Sequence, residues 1–255
     1  MTRLADQLAD LGLRHTASTL DDLLALAAKK RFSPTQLLEY VGEHELADRA
    51  RRSVERRLSR SKLGRLKPIA DFDWSWPTRI DRDAVEAALR LEFLGRAGNI
   101  VLVAPQGLGK TTIAKNIAHN AVMAGHSVLV ITAAQMLLDL SSQDSARGLD
   151  RRLRHYQRFA LLVVDEIGYL SYDNRNADLF FQVVSRRYEH KSLVLTTNLA
   201  FSDWATVFPN AACATALIDR LCHHADVLKI EGKSYRRREA EEASRSRRKK
   251  RSKSS

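Results

Sequence analysis

The chain has 255 residues, of which 44% are apolar, enough for one α/β domain with a real core and a small appendage. Its net charge of +12 is uneven, because residues 49–67 carry +8, residues 235–255 carry +7, and the remainder carries −3. This pattern predicts a polyanionic partner, foremost nucleic acid, with solubility tails as the alternative, and two cysteines argue against a disulfide scaffold or a zinc site.

The chain begins MTRLADQLADLGL, which contains acids and lacks the continuous apolar run of a secretory signal. No stretch approaches the roughly 18 apolar residues of a membrane span. We therefore expect a cytoplasmic protein without a membrane partner.

Four regions are predicted along the chain. Residues 1–63 form a small, basic, all-helical domain, and residues 64–80 form a linker. An α/β domain follows over residues 81–238, and residues 239–255 form a disordered basic tail. Within the first region, Ser33, Pro34 and Gln36 indicate the start of one helix.

The next helix is predicted over roughly residues 45–62, and it is strongly basic. Its arginines recur at spacings of three and four and share a face, which can lie along a phosphate backbone. A solvated face is the alternative reading. The candidate DNA-binding residues are Arg49, Arg52, Arg56, Arg57 and Arg60.

The linker contains three aromatic residues, Phe72, Trp74 and Trp76. We expect them to pack on the neighbouring domain rather than to stack on nucleic acid bases.

Strands and helices alternate beyond the linker, which predicts a parallel sheet in a three-layer α/β sandwich. The predicted strands are residues 100–103, 127–131, 160–164 and 192–196. The predicted helices are residues 81–96, 133–158 with a break at 141–148, 178–187 and 213–224.

The segment NIVLVAPQGLGKTT, residues 99–112, has the order strand, glycine loop, helix that a phosphate-binding loop requires. Gly107 and Gly109 let backbone N–H groups face phosphate oxygens, Lys110 can reach the β- and γ-phosphates, and the Thr111 hydroxyl can ligate Mg²⁺. Ala104 replaces the first glycine of the pattern and fits if its φ is negative. The candidate nucleotide-binding residues here are Pro105, Gln106, Gly107, Leu108, Gly109, Lys110, Thr111 and Thr112.

The strand LLVVDE ends in two carboxylates at residues 165 and 166. In doubly wound sheets ligands lie at the carboxyl ends of the strands, so Asp165 is expected to hold Mg²⁺. Glu166 is expected to activate the attacking water as general base, which favours a hydrolase over a small-metabolite kinase with the same loop.

Three further polar positions are candidates. Asn198, with Thr197 as fallback, follows the next strand and can bond the γ-phosphate or the lytic water. Arg220 lies on a predicted helix from which it can reach a neighbouring subunit's nucleotide; an internal salt bridge with Asp219 or Asp226 is the alternative. Arg236 is a candidate γ-phosphate contact.

His223 and His224 are adjacent in this same predicted helix, residues 213–224, and would therefore point to different sides of it. We expect them to be poor metal ligands.

The segments APQGLGKTT, LLVVDEIGYL, RRYEHKSLVLTTN and ALIDRLCHHADVLKIEGKSYR resemble the IstB-type transposition helper ATPases. These belong to the AAA+ class, alongside the DnaC and DnaI helicase loaders. The resemblance spans about residues 64–238 and implies an AAA+ three-layer sandwich without a full lid domain.

It also implies ATP and Mg²⁺ as cofactors, and roles for Lys110, Thr111, Asp165, Glu166, Asn198 and Arg220 that match those above. The implied function is that of a bacterial ATPase that forms homo-oligomers with ATP at subunit interfaces. It would assemble on double-stranded target DNA of an insertion sequence and recruit or stimulate a cognate transposase. A replicative helicase loader is the alternative, and a DNA-binding module with an inactive site is a further one.

Overall fold

A computed structural model of the chain describes residues 3–168, 172–208, 211–235 and 237–238. The chain divides into two compact units, with the boundary between Arg56 and Arg57. The predicted γ-phosphate contact Arg236 and the predicted tail at residues 239–255 lie outside the described residues.

The first unit is helical, as predicted. It contains α1 (Arg3–Asp10), α2 (Arg14–Ser18), α3 (Leu20–Lys30) and most of α4 (Pro34–Ser61). The predicted helix start is confirmed as a reciprocal cap. The Gln36 N–H donates to Ser33 Oγ over 3.2 Å, and the Ser33 N–H donates to Gln36 Oε1 over 2.9 Å.

The basic helix is longer than predicted. The sequence suggested two helices, with the second beginning near residue 45, but α4 runs without interruption for 28 residues. Gly42 lies within it and does not end it, since a glycine costs a helix interior only about 1 kcal/mol and needs no break in the hydrogen-bond ladder.

The second unit is built on a six-stranded sheet. The strands are β1 (Arg79–Ile80), β2 (Asn99–Val103), β3 (Val128–Thr132), β4 (Leu161–Ile167), β5 (Ser192–Thr197) and β6 (Ala225–Glu231), and their spatial order is β1-β6-β2-β5-β4-β3. Strand β1 is antiparallel to β6, and all other neighbours are parallel. The sequence predicted four of these strands and missed β1 and β6.

Helices cover both faces of this sheet and make the predicted three layers. They are α5 (Arg82–Leu89), α6 (Lys110–Met123), α7 (Ala133–Ser141), α8 (Ala146–Gln157), α9 (Asn174–Arg187) and α10 (Ala211–Cys222), and 3-10 helices occupy Ile69–Asp71, Glu92–Arg96 and Phe201–Thr206. Strand β4 shows why its sequence is continuously apolar. Leu162 and Val164 pack in the core with α7–α10, whereas Leu161 and Val163 pack in the core with α5 and α6.

The linker aromatics Phe72, Trp74 and Trp76 are partly buried against the α5–α6 side of the core, as predicted. Asn116 of α6 fixes the linker backbone, because its side chain accepts from the Ile69 N–H over 3.0 Å and donates to the Lys67 carbonyl over 2.9 Å.

Among the described helices, none is both long and apolar enough to cross a membrane.

Candidate active site

The loop between β2 and α6 has the backbone that its glycines predict. Gly107 and Gly109 have φ values of +79° and +87°, in the left-handed region that glycine adopts without steric cost. Ala104 is buried and is absent from the residues with positive φ, so alanine fits there. Its N–H donates to the Thr197 carbonyl over 3.1 Å, which ties the loop to β5.

Both glycines are also required by close neighbours. A Cβ atom at Gly107 would overlap the Ser234 side chain, and one at Gly109 would overlap the Phe72 ring. Ser234 follows β6, and Phe72 belongs to the linker, so segments from both ends of the second unit lie against the loop.

Lys110 begins α6, where the helix dipole favours an anion. Its Nζ donates to the Ala104 carbonyl over 2.5 Å and to the Pro105 carbonyl over 2.9 Å, which keeps the ammonium group over the loop.

A cavity of about 210 Å³ opens beside this loop. The predicted residues from Gly107 to Thr112 line it, whereas Pro105 and Gln106 do not. Its other wall includes Phe72, Trp76 and Tyr235. The Tyr235 N–H donates to the Gly107 carbonyl over 2.9 Å, and the Trp76 indole donates to the Lys233 carbonyl over 2.8 Å. Tyr235 was not predicted from the sequence, although it is an aromatic residue directly before a basic run.

Asp165 and Thr111 meet at the carboxyl ends of the strands. The Thr111 hydroxyl lies 3.0 and 3.1 Å from the two carboxylate oxygens of Asp165, which is almost fully buried. The Thr196 hydroxyl donates to the same carboxylate. A hydroxyl and a carboxylate are oxygen donors of the kind that Mg²⁺ prefers.

Glu166 occupies a strained position directly after this carboxylate. Its φ is +64°, and the pairing of β4 with β5 shifts register between Val164 and Ile167. Its N–H donates to Thr196 Oγ1 over 2.9 Å, and its side chain is exposed. A bulge of this kind redirects a side chain, and positive φ in a residue other than glycine often accompanies function.

The two residues proposed to sense the γ-phosphate differ in their surroundings. Thr197 is fully buried, and its hydroxyl accepts from the Leu199 N–H over 3.1 Å. Asn198 is exposed at the end of β5. Thr196, which was not predicted as a site residue, bonds the Asp165 carboxylate and accepts from the Glu166 N–H. The next residue, Thr197, is also a threonine. The two differ in the direction of their side chains at the end of the strand, which the sequence does not reveal.

Arg220 lies on α10 and is held by α9 of the same chain. Its guanidinium donates to the Ser185 hydroxyl and lies 4.4 Å from the centroid of the Phe181 ring. The ion pairs considered as alternatives do not form, because Asp226 pairs with Arg96 over 2.8 Å and Asp219 forms no ion pair with a described residue.

The predicted DNA-binding arginines of the first unit are not equivalent. Arg52 pairs with Asp48 over 2.6 Å, and Arg49 donates to the Gly12 carbonyl over 3.3 Å. Arg56 forms no ion pair with any residue that the structure describes. Arg51, which was not predicted to bind DNA, pairs with both Asp48 and Glu55.

A basic groove of about 720 Å³ lies within the second unit, between the end of α4 and α8. Its cationic residues are Arg57, Arg60, Lys62, Arg152 and Arg158, with His155 among them. We call this set the α8 groove. It contains the two remaining predicted residues, Arg57 and Arg60.

The cations of the α8 groove affect the pKa of His155. Burial and the nearby Arg152, Arg158 and Lys62 lower the pKa of this imidazole, while Asp139 acts in the opposite direction. Asp139 also pairs with Arg152 over 2.6 Å, so part of the groove's charge is compensated internally.

Comparison with known proteins connects this site to a family. The family described as IstB-like ATP binding protein matches residues 6–243. A Pseudomonas aeruginosa protein named for ATP binding in insertion sequence IS21 is 36% identical, over 95% of this chain and 92% of its own length. A Geobacillus stearothermophilus protein named likewise for insertion sequence IS5376 is 34% identical, over 84% and 85%.

The crystal structure of DnaI has a similar fold. It superimposes with a TM-score of 0.54 at 18% identity and covers 68% of this chain and 90% of its own.

Proposed function

This chain belongs to the family of IstB-like ATP-binding proteins, and we propose that it is a Mg²⁺-dependent ATPase that assembles on double-stranded DNA and assists transposition. The observation that carries the proposal is the meeting of Thr111 with Asp165 beside the phosphate loop. Membership of this family supports ATP binding. ATP hydrolysis, DNA binding and a role in transposition are the proposed properties.

Thr111 and Asp165 would hold Mg²⁺. The bound ion would supply positive charge against the negative charge that develops on the phosphate oxygens during hydrolysis. The loop N–H groups and Lys110 would bind the phosphates, and Lys110 would exchange its two carbonyl partners for phosphate oxygens. Phe72, Trp76 and Tyr235 offer an apolar wall for the base.

Glu166 would take the proton of the attacking water. Its carboxylate is exposed, and the register shift in β4 turns it away from the buried partners of Asp165. Asn198, at the end of the adjacent strand, would bond the γ-phosphate or that water.

Arg220 would act on the nucleotide of a neighbouring subunit and stabilise charge in the transition state. Its partners on α9, a serine hydroxyl and an aromatic ring, are neutral, so a phosphate can compete for the guanidinium without leaving a buried acid unpaired.

DNA binding would use two surfaces, the exposed arginines of α4 and the α8 groove. Both present cations along helices, and such cations bind phosphates without reading sequence. The names of the relatives from P. aeruginosa and G. stearothermophilus refer to insertion sequences, which supports transposition as the process and a transposase as the partner.

The proposal is tested by ATP hydrolysis with and without duplex DNA, on the wild type, Lys110→Ala and Glu166→Gln. We expect duplex DNA to stimulate the wild type, Lys110→Ala to lose nucleotide binding, and Glu166→Gln to bind ATP without hydrolysing it. Wild-type turnover by Glu166→Gln would overturn the base assignment. Hydrolysis that is indifferent to DNA would contradict the proposed link between ATP hydrolysis and DNA.

A further inference from the structure

The turn after α10 brings two adjacent histidines together. The sequence placed His223 and His224 on a helix, where they would point to different sides, but α10 ends at Cys222 and both lie in the turn before β6. Their ring centroids are 4.1 Å apart. The two imidazoles are therefore not directed to opposite sides of a helix, and the expectation that they are poor metal ligands loses its premise.

A carboxylate from another turn completes a three-residue cluster. Glu189 follows the end of α9, and one ligand atom each of Glu189, His223 and His224 lies within 4.8 Å of the others. His224 Nε2 lies 3.7 Å from Glu189 Oε1. Glu189 has a φ of +59°, so its backbone is held in the left-handed region at this point.

A fourth residue orients one of the imidazoles. The Tyr188 hydroxyl lies 2.7 Å from His223 Nδ1. When Nδ1 carries the proton and donates to this hydroxyl, the lone pair of Nε2 is available to a metal ion. Partners of this kind fix the tautomer of metal-binding histidines and are part of the site.

We propose that Glu189, His223 and His224 bind a divalent transition-metal ion of the zinc class, with Tyr188 as a positioning residue. Two imidazoles and one carboxylate form a donor set that zinc accepts, and imidazole selects against Mg²⁺. Ligand atoms around a tetrahedral zinc ion lie about 3.3 Å apart. All three side chains are exposed, so small rotations close the cluster from its present spacing.

The proposed site is separate from the Mg²⁺ of the nucleotide site. It lies beside the first residues of β5 and β6, whereas the phosphate loop and Asp165 lie at the carboxyl ends of the parallel strands. An ion here would join the turn after α9 to the turn after α10. Arg220 lies on α10 and is held by α9, so the ion would join the two helices that position it.

The test uses the full chain without a histidine tag, stripped with chelator and kept in excess Mg²⁺. Co²⁺ absorption reports inner-sphere nitrogen ligands, and competition with a chromophoric chelator gives the Zn²⁺ affinity. We expect one ion per chain and at least a tenfold loss of affinity in His223→Gln, His224→Gln and Glu189→Gln. Tyr188→Phe should weaken binding by about tenfold, since it removes only the orienting hydroxyl.

The matched control is His126→Gln, which removes a histidine outside the cluster. This variant should bind Zn²⁺ with the affinity of the wild type. The three proposed ligands are exposed, whereas His126 and Tyr188 are half-buried, and circular dichroism verifies the folding of every variant. No Zn²⁺ binding by the wild type, or equal affinity in the control and in the double variant His223→Gln/His224→Gln, would overturn the proposal. The cluster would then be a surface hydrogen-bond network.

Discussion

The Thr111 hydroxyl lies 3.0 Å from the nearer carboxylate oxygen of Asp165, although the two residues are 54 positions apart in the sequence. The contact joins the start of α6 to the end of β4. It brings together the two oxygen donors that the account assigns to Mg²⁺.

Removal of this hydroxyl should affect the use of Mg²⁺. We expect Thr111→Val to lower ATP hydrolysis about a hundredfold, or about 2.7 kcal/mol of barrier, and to raise the Mg²⁺ concentration needed for half-maximal rate. Thr111→Ser keeps the hydroxyl and should stay near the wild type. A Mg²⁺ titration that Thr111→Val leaves unchanged would show that this hydroxyl is not a ligand.

Glu166 allows backbone strain to be measured separately from chemistry. Glu166→Gly and Glu166→Ala both lose the carboxylate and should both lose hydrolysis. Glycine adopts a φ of +64° freely, whereas alanine does not. We therefore expect Glu166→Gly to be more stable than Glu166→Ala by about 1 kcal/mol in denaturant unfolding. Equal stabilities would indicate that the backbone relaxes at this bulge.

Arg220 is expected to act between subunits. Arg220→Ala should retain ATP binding and lose most hydrolysis, because the guanidinium serves a neighbouring site. The informative measurement mixes Arg220→Ala with Glu166→Gln, each inactive alone. Some interfaces in the mixture combine an intact Arg220 with an intact Glu166, so activity should reappear. A mixture as inactive as its components would argue for a role within one chain.

The chemistry near the phosphate loop could be predicted from the sequence because strand, loop and helix are contiguous there. Lys110, Thr111 and Asp165 follow from local patterns and one rule about sheet edges. Strand β6 was missed because ADVLKIE contains three charges and alternates exposed with buried residues, although it lies inside the sheet between β1 and β2. Its neighbour β1 is only two residues long.

Features that depend on side-chain direction were not predictable. Thr196 and Thr197 are adjacent and both buried, and only the fold shows that Thr196 contacts Asp165. The cluster of Glu189 with His223 and His224 depends on α10 ending at Cys222, two residues before the end of the predicted helix. Helix ends are the least certain part of any sequence-based assignment.

DNA binding in the α8 groove should depend on pH through His155. Burial and three cations lower the pKa of this imidazole in the free protein, and Asp139 opposes them. Bound phosphates would neutralise the cations and raise that pKa. The complex would then hold more protons, so affinity should increase as pH falls from the raised pKa towards the lowered one. His155→Gln should reduce this increase in a binding titration, and an identical pH profile would place DNA elsewhere.

The arginines of α4 can be ranked by how much each contributes to the salt dependence of DNA binding. Arg56→Ala and Arg60→Ala should each reduce the slope of log affinity against log salt by about 1, since each removes one phosphate contact. Arg51→Ala is the control, because Arg51 is already paired with two acids and should leave the slope nearly unchanged. Equal effects at all three positions would mean that these residues act only through net charge.

The most direct test of the account is sedimentation of the purified chain with double- or single-stranded oligonucleotides in ATP, ADP or no nucleotide. We predict large assemblies that form on duplex DNA with ATP, persist in Glu166→Gln and are lost in Lys110→Ala. A preference for single strands would instead favour a helicase loader. Failure to bind DNA with any nucleotide would contradict the account.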